Sequence, residues 1–167
     1  VSFAIVIFVP AINSIVLELL QVFEKNGAII EHINLPILKY SAATYFIVSR
    51  AEAASNLARY DGVKYGYRTK NYDDLMSMYK NTRQEGFKGI VKERILLGNY
   101  VLSAGYNCDF YKNAKIIQNK MKLHLCEALK KCDVLFCPIS PKPAFDIGGL
   151  DVSSIEFDLL DFFACFA

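Results

Sequence analysis

The chain has 167 residues, of which 53% are hydrophobic, and it carries a net charge of +2. This length suits one domain with a real core, and the composition excludes an intrinsically disordered chain. The 19 basic and 17 acidic residues are too balanced to indicate a nucleic-acid or membrane-surface protein by charge alone, and no apolar run is long enough to span a bilayer.

A βαβ unit is predicted at the start of the chain. Residues 2–9 form a short apolar run that is typical of a buried strand. A helix begins at Ser14 and stops at Asn26 and Gly27, and residues 28–35 then alternate like a second strand. This order of elements predicts a parallel sheet and an α/β fold.

Helices dominate the next hundred residues. We predict a helix at residues 41–59, a second that starts with residues 72–79 and continues to a break at residues 86–89, its resumption at residues 90–101, and a long helix at residues 107–131. A loop over residues 60–71 follows the first helix. The break at residues 86–89 contains two glycines. The last helix is amphipathic, and its predicted inward residues are Ile116, Ile117, Met121, Leu125 and Leu129.

A third buried strand is predicted at residues 133–137, "DVLFC". The loop "PISPKPAFDIGG" follows at residues 138–149 and carries three prolines, which make it rigid. Ligands of open α/β sheets bind beyond the carboxyl ends of strands. This loop is therefore placed where a ligand is expected.

The five cysteines give no sign of a metal site or a disulfide framework. No pair has C-x-x-C spacing, and His32 and His124 lie near no metal-binding cluster in the sequence. We predict that the cysteines are reduced and buried, as in a cytosol-like compartment. Generic catalytic motifs are also missing, because there is no G-x-S-x-G, P-loop, G-x-G-x-x-G or H-E-x-x-H.

Residues 56–68, "NLARYDGVKYGYR", combine three tyrosines with three cations. Asp61 with Gly62, and Gly66, predict turns in this stretch. The tyrosines and cations would then form a rigid polar and aromatic surface after a helix. A purely structural loop is the alternative.

Three stretches carry a resemblance to a known family. "AEAASNLARYDGVKYGYR" (residues 51–68), "QEGFKGIVKERILLGNYVLSAGYNCDFYKNA" (84–114) and "DVLFCPISPKPAFDIG" (133–148) resemble the A subunits of glutamyl-tRNA(Gln) amidotransferases, which belong to the amidase signature family. The stretches occur in the family's order and spacing. The resemblance implies an α/β fold with a mixed sheet flanked by helices, as one partial amidase domain over residues 1–167.

The resemblance also implies an activity. Such a subunit hydrolyses glutamine through a serine nucleophile, and the ammonia converts Glu-tRNA(Gln) to Gln-tRNA(Gln) for translation. The implied partners are the B and C subunits, and ATP and Mg are used through a partner subunit rather than bound by this chain. The implied location is the bacterial cytoplasm or an organellar matrix, without membrane association.

Three residues match the family's glutamine-contacting positions. Arg94 would bind the α-carboxylate, Tyr45 would line the pocket, and Asp158 would take the ammonium group. A guanidinium suits a carboxylate because it can donate two parallel hydrogen bonds. As alternatives, Arg94 is a solvated helix residue paired with Glu93, and Tyr45 is a core residue.

Some features depart from the family pattern. Phe157 replaces an Asn before Asp158, and Ile139 alters the proline loop. The family's catalytic lysine and two serines have no match in this chain, and both ends are apolar. We therefore expect an internal piece of a longer protein that is inactive alone. The alternatives are an inactive remnant or interaction module, and a stand-alone amidase.

Overall fold

The computed structural model describes residues 2–6, 14–103, 108–138, 146–148 and 165. These residues group into two compact units. We call Val1–Tyr45 with Ile116–Ala167 the sheet unit, and Phe46–Lys115 the helical unit.

The described part of the sheet unit contains three parallel strands. They are β1 (Ser2–Val6), β2 (Ile29–Ile33) and β3 (Val134–Phe136), in the order β2-β1-β3. In register, Phe3 of β1 is opposite both Ile30 and Val134. This arrangement confirms the predicted βαβ unit, the third strand and the α/β class.

Helix α1 (Ser14–Lys25) connects β1 to β2. Gly27 has φ +87°, and the backbone N–H of Asn26 bonds to the Val22 carbonyl at 3.2 Å. The helix therefore ends at the predicted Asn-Gly pair, because glycine adopts a positive φ without a steric penalty. Residues 7–13, which include the end of the predicted first strand, lie outside the described residues.

The core of the sheet unit is formed by Leu35, Leu38 and Met121. Met121 comes from α5 (Cys108–Leu129), and Leu38 lies on a 3-10 helix, Pro36–Tyr40. The half-buried residues that pack against this core are Ile33, Ile37, Ile117, Leu125 and Leu135. The predicted inward face of the long helix is therefore correct at Ile117, Met121 and Leu125.

Two other residues of that predicted face, Ile116 and Leu129, are exposed. The buried stripe instead follows the spacing 117, 121, 125 and 128, which ends at Ala128. Positions 116 and 129 lie about 100° to either side of their inward neighbours on a 3.6-residue helix. The prediction of those two positions was wrong because it assumed a wider apolar stripe.

Strand β3 is less buried than predicted. Val134 is exposed, and Leu135 and Phe136 are half-buried. The reason is its place at one edge of the three described strands. Its contact with α1 is aromatic, since the rings of Phe136 and Phe23 meet edge to face at 5.9 Å.

The helical unit contains most of α2 (Ser41–Leu57), all of α3 (Leu75–Gly86) and α4 (Gly89–Leu102), and the start of α5. Its buried apolar residues include Val48, Ala51, Ala54, Met78 and Ile95. Small residues on α2 allow α4 to approach closely at Gly98. A Cβ built on Gly98 would collide with the Arg50 carbonyl oxygen and lie 2.6 Å from the Ala54 methyl group.

Helix α3 begins three residues later than predicted. The Asp74 carboxylate accepts the backbone N–H of Ser77 at 2.6 Å, and the Ser77 hydroxyl accepts the N–H of Asp74 at 2.9 Å. This reciprocal capping box fixes the first turn at Leu75 rather than Tyr72. The predicted break at residues 86–89 is confirmed, because α3 ends at Gly86 and α4 begins at Gly89.

The thiols whose environment the structure describes are free and differ in burial. Cys132 is buried, and Cys137 and Cys165 are half-buried. Cys126 is exposed, so the prediction of burial was wrong for that cysteine. Within the described ranges, no helix is both long and apolar enough to cross a membrane.

Candidate functional site

The tyrosine loop, residues 58–74, connects α2 to α3 and begins with a tight turn. The Asp61 carboxylate accepts the backbone N–H of Val63 at 2.8 Å. Gly62 is buried with φ +82°, and a Cβ there would lie 2.8 Å from the Thr82 methyl group. Gly66 also has φ +87°. Both predicted turns are therefore present, and each uses the conformational freedom of glycine.

Two arginines hold the backbone of the tyrosine loop. Arg68 donates from Nε to the Gly62 carbonyl and from Nη2 to the Val63 carbonyl at 3.0 Å. Arg83 of α3 donates from Nη1 to the carbonyls of Leu57 at 2.8 Å and Tyr60 at 3.1 Å. Because carbonyls at a helix end lack partners within the helix, Arg83 also caps the end of α2.

Glu85 of α3 fixes the second half of the loop. Its carboxylate accepts the Tyr67 hydroxyl at 2.5 Å and the Thr69 hydroxyl at 3.0 Å. Thr69 is buried, and its backbone N–H donates to the Thr82 hydroxyl at 3.2 Å. Sequence reasoning did not identify Glu85, Arg83 or Thr82 as loop contacts. Each lies more than a dozen residues from its partner in the loop, and sequence spacing gives no signal for such a contact.

The carboxylate of Glu85 raises the pKa of the Tyr67 phenol, chiefly by accepting its hydrogen bond. We expect Tyr67 to ionise above the ordinary value of about 10. The hydrogen bond from Tyr67 to Glu85 contributes fully to the stability of the folded protein below that ordinary value. This contribution is lost as pH rises through the raised pKa. Tyrosine Cζ NMR titration of the ring-labelled protein, with Tyr67→Phe assigning the signal, measures the shift.

Glu85→Gln should return the Tyr67 pKa towards its ordinary value, since the amide carries no charge. Glu127→Gln removes an exposed carboxylate from the sheet unit and serves as the matched control, with no effect on Tyr67. A Tyr67 resonance that titrates at the same pH in Glu85→Gln and in the parent protein would contradict the assignment.

The structure describes two of the three predicted glutamine-contacting residues. Arg94 lies on α4 and is exposed, beside the buried Ile95. Its side chain forms no hydrogen bond or ion pair with another described residue, so the alternative pairing with Glu93 is not present there. Arg94 has to be exposed both as a solvated helix residue and as a residue that binds a carboxylate, so its exposure fits either role.

Tyr45 lies on α2 and is 43% exposed, so it is not a core residue of this chain. It belongs to the sheet unit, whereas Arg94 belongs to the helical unit, and each is described within its own unit. Asp158, with Phe157 and Ile139, lies outside the described residues. The glutamine-contacting roles of all three predicted residues stay predictions.

Each unit also has a cleft. The cleft in the helical unit has a volume of about 420 Å³ and is mainly apolar; its lining is Arg83, Gln84, Phe87, Lys92, Ile95 and Leu96. The cleft in the sheet unit, of about 380 Å³, is polar and lies between the end of β2 and α5, where both His32 and His124 line it. Among the described residues, no group of His, Cys, Asp and Glu is arranged to hold a metal ion. Neither lining includes Arg94 or Tyr45.

Comparison with known proteins identifies one family. The family model described as Amidase matches residues 2–166. The chain is 47% identical over 134 residues to the A subunit of the glutamyl-tRNA(Gln) amidotransferase of Shouchella clausii. This alignment covers 80% of the chain and 28% of that protein. It is 49% identical over 133 residues to the protein of the same name from a Geobacillus species, covering 80% of the chain and 27% of that protein.

A solved structure supports the same relationship. The crystal structure of the A subunit of the glutamyl-tRNA(Gln) amidotransferase from Thermotoga maritima matches 99% of this chain, with a TM-score of 0.65 and 29% identity. The match covers 32% of that protein. The chain therefore spans about a third or less of the length of these relatives.

Proposed function

Since the chain belongs to the amidase family, we propose that it serves as part of the glutaminase subunit of a glutamyl-tRNA(Gln) amidotransferase. The observation that carries the proposal is the identity of 47% and 49% to subunits of that name over four fifths of the chain. The family match over residues 2–166 further supports treating the chain as part of one amidase domain.

In the proposed reaction, water and glutamine give glutamate and ammonia. A serine from the part of the subunit that this chain does not match attacks the side-chain amide, and ammonia leaves; water then releases glutamate from the acyl-enzyme. The ammonia is transferred to Glu-tRNA(Gln) by a B subunit that uses ATP and Mg, in a complex completed by a C subunit. We place this complex in a bacterial cytoplasm or an organellar matrix.

The contribution of this chain is recognition of glutamine rather than bond cleavage. A selective site must bind the α-carboxylate and the α-ammonium group, which distinguish glutamine from a simple amide. We propose Arg94 for the carboxylate, Asp158 for the ammonium group and Tyr45 as a wall of the pocket. The absence of any ion pair between the Arg94 side chain and another described residue supports its role, because an arginine already neutralised by a carboxylate would bind a second one weakly.

Activity assays of two samples test the proposal. The full-length subunit with its partners should release ammonia from glutamine and form Gln-tRNA(Gln). The 167 residues alone should release no ammonia above a buffer blank, because the resemblance implies that the family's catalytic serines and lysine lie outside them.

Two results would overturn the proposed function. Hydrolysis of simple aliphatic amides by the full-length subunit, without any effect of Glu-tRNA or partner subunits, would instead indicate a stand-alone amidase. A folded complex that hydrolyses no glutamine would indicate an inactive remnant or an interaction module.

A further inference from the structure

The cleft of the helical unit combines apolar walls with two cations. It lies where α3 ends and α4 begins, and its volume is about 420 Å³. Clefts that bind small molecules have volumes of about 300–1,000 Å³ and are mainly apolar, with a few polar groups that orient the ligand. Here Phe87, Ile95 and Leu96 supply apolar walls, and Arg83 and Lys92 supply the positive charge. The cleft therefore has the size and the lining of a small-molecule site.

Lys92 lies in this cleft without a counter-ion. Its side chain is half-buried, and it forms no hydrogen bond or ion pair with another described residue. A half-buried ammonium group loses part of its hydration, and no protein contact in the described ranges compensates for that loss. An anion bound beside Lys92 would compensate for it.

Arg83 has N–H groups that the tyrosine loop does not use. Its Nη1 atom donates to the carbonyls of Leu57 at 2.8 Å and Tyr60 at 3.1 Å, whereas Nε and Nη2 donate to no other described residue. The guanidinium also lies over the ring of Phe87, 5.0 Å from its centroid. Because these contacts already hold the guanidinium in place, it would lose little conformational entropy on binding a ligand.

No carboxylate competes for these cations among the described residues that line the cleft. The nearest carboxylates in the sequence belong to Glu85 and Glu93. The carboxylate of Glu85 accepts the hydroxyls of Tyr67 and Thr69, and Glu93 is exposed and forms no ion pair with another described residue. Two like charges that line one cleft repel each other, and a bound anion would remove this repulsion.

We infer that the cleft between α3 and α4 binds a small carboxylate with an aliphatic or aromatic body. The carboxylate would accept charge-assisted hydrogen bonds from Lys92 and from the unused N–H groups of Arg83. The body would lie against the apolar walls and lose its contact with water. Inorganic phosphate has the charge but no such body, so it would gain only part of this binding energy.

Glutamine does not fit this cleft, because its α-ammonium group needs a carboxylate and the described lining contains none. Its polar side chain would also gain little from apolar walls. The inferred site is therefore separate from the proposed glutamine pocket and does not depend on the proposed function.

Isothermal titration calorimetry of the full-length subunit with phenylbutyrate tests the inference. Phenylbutyramide has the same body without the charge, and acetate has the charge without the body. Each should bind at least about tenfold more weakly than phenylbutyrate, since each lacks one of the two groups that the cleft would recognise. These comparisons use the parent protein and need no variant.

Variants of the lining assign the binding to this cleft. Lys92→Met removes the charge and should weaken phenylbutyrate binding at least about fivefold, whereas Lys92→Arg should restore most of the affinity. Lys122→Met, at an exposed lysine of α5, is the matched control and should change affinity less than about twofold. Leu96→Gln should weaken phenylbutyrate and phenylbutyramide alike, and Leu123→Gln, at another exposed leucine, should weaken neither.

Four results would overturn the inference. The first is no binding of phenylbutyrate by the parent subunit, as expected if another part of the full-length protein covers the cleft. The others are equal affinity for the acid and the amide, equal effects of Lys92→Met and Lys122→Met, and displacement of phenylbutyrate by glutamine. Ammonia release tests the proposed function separately, so a subunit that binds phenylbutyrate through Lys92 yet hydrolyses no glutamine would retain this inference and lose the proposed function.

Discussion

Replacing Gly98 by alanine is expected to lower the free energy of unfolding by about 3 kcal/mol, within the range for an overpacked core. The added methyl group would collide with the Arg50 carbonyl oxygen and lie 2.6 Å from the Ala54 methyl group. A backbone carbonyl cannot rotate away as a side chain can, so α4 must move away from α2. The gain in helix propensity, about 1 kcal/mol, does not offset this cost. Urea unfolding of the purified protein measures the difference.

Gly89→Ala is the matched control, because it makes the same substitution in the same helix. Nothing lies within 4 Å of a Cβ at Gly89. Alanine there should leave stability unchanged or raise it by about 0.5 kcal/mol, since glycine has the greater conformational freedom in the unfolded chain. Equal midpoints for the Gly98 and Gly89 variants would show that α2 and α4 do not pack closely at Gly98.

Arg94→Lys in the full-length subunit is expected to reduce kcat/KM for glutamine by roughly 30-fold or more, mainly through a higher KM. Lysine keeps the positive charge but loses the two parallel N–H bonds that a guanidinium can make to the α-carboxylate. Disrupting such a charge pair in a desolvated pocket costs about 2–5 kcal/mol. Initial rates of ammonia release over a range of glutamine concentrations measure the effect.

The defect should be bypassed when ammonium chloride replaces glutamine as the nitrogen donor, because the transfer step does not use the glutamine pocket. Arg59→Lys makes the same substitution at another exposed arginine and should leave glutamine kinetics unchanged. If Arg94→Lys impairs ammonia-dependent and glutamine-dependent transfer equally, Arg94 has a structural role or contacts another subunit, and the proposed role is wrong.

The elements that could be predicted from sequence are those set by local patterns. The turn at Asn26 and Gly27 needs a residue that tolerates positive φ, and Gly86 and Gly89 lower the helix propensity of the sequence on both sides of the break between α3 and α4, so both were found at the right place. The start of α3 was misplaced because Tyr72 fits a helix by pattern, whereas the start is decided by hydrogen bonds between Asp74 and Ser77. Such bonds depend on side-chain geometry that periodicity does not describe.

The candidate site likewise has features that could be predicted from sequence and features that could not. The turns of the tyrosine loop follow from Asp61, Gly62 and Gly66 and could be predicted. The roles of Arg83 and Glu85 could not, because a charged residue on a helix is usually solvated. Their contacts with the loop arise only when α3 is placed beside the end of α2.

The sheet unit is discontinuous in the chain, and this has a consequence for folding. Strand β1 pairs on one side with β2, which follows it closely, and on the other with β3, where Phe3 is opposite Val134. That second pairing requires closing a loop that contains the entire helical unit, and such long-range contacts slow folding because the chain loses entropy before the contact forms. The contacts that define the helical unit lie within Phe46–Lys115. During synthesis from the amino terminus, its residues are complete before β3 has been made, so the tyrosine loop can be ordered while the sheet still lacks an edge strand.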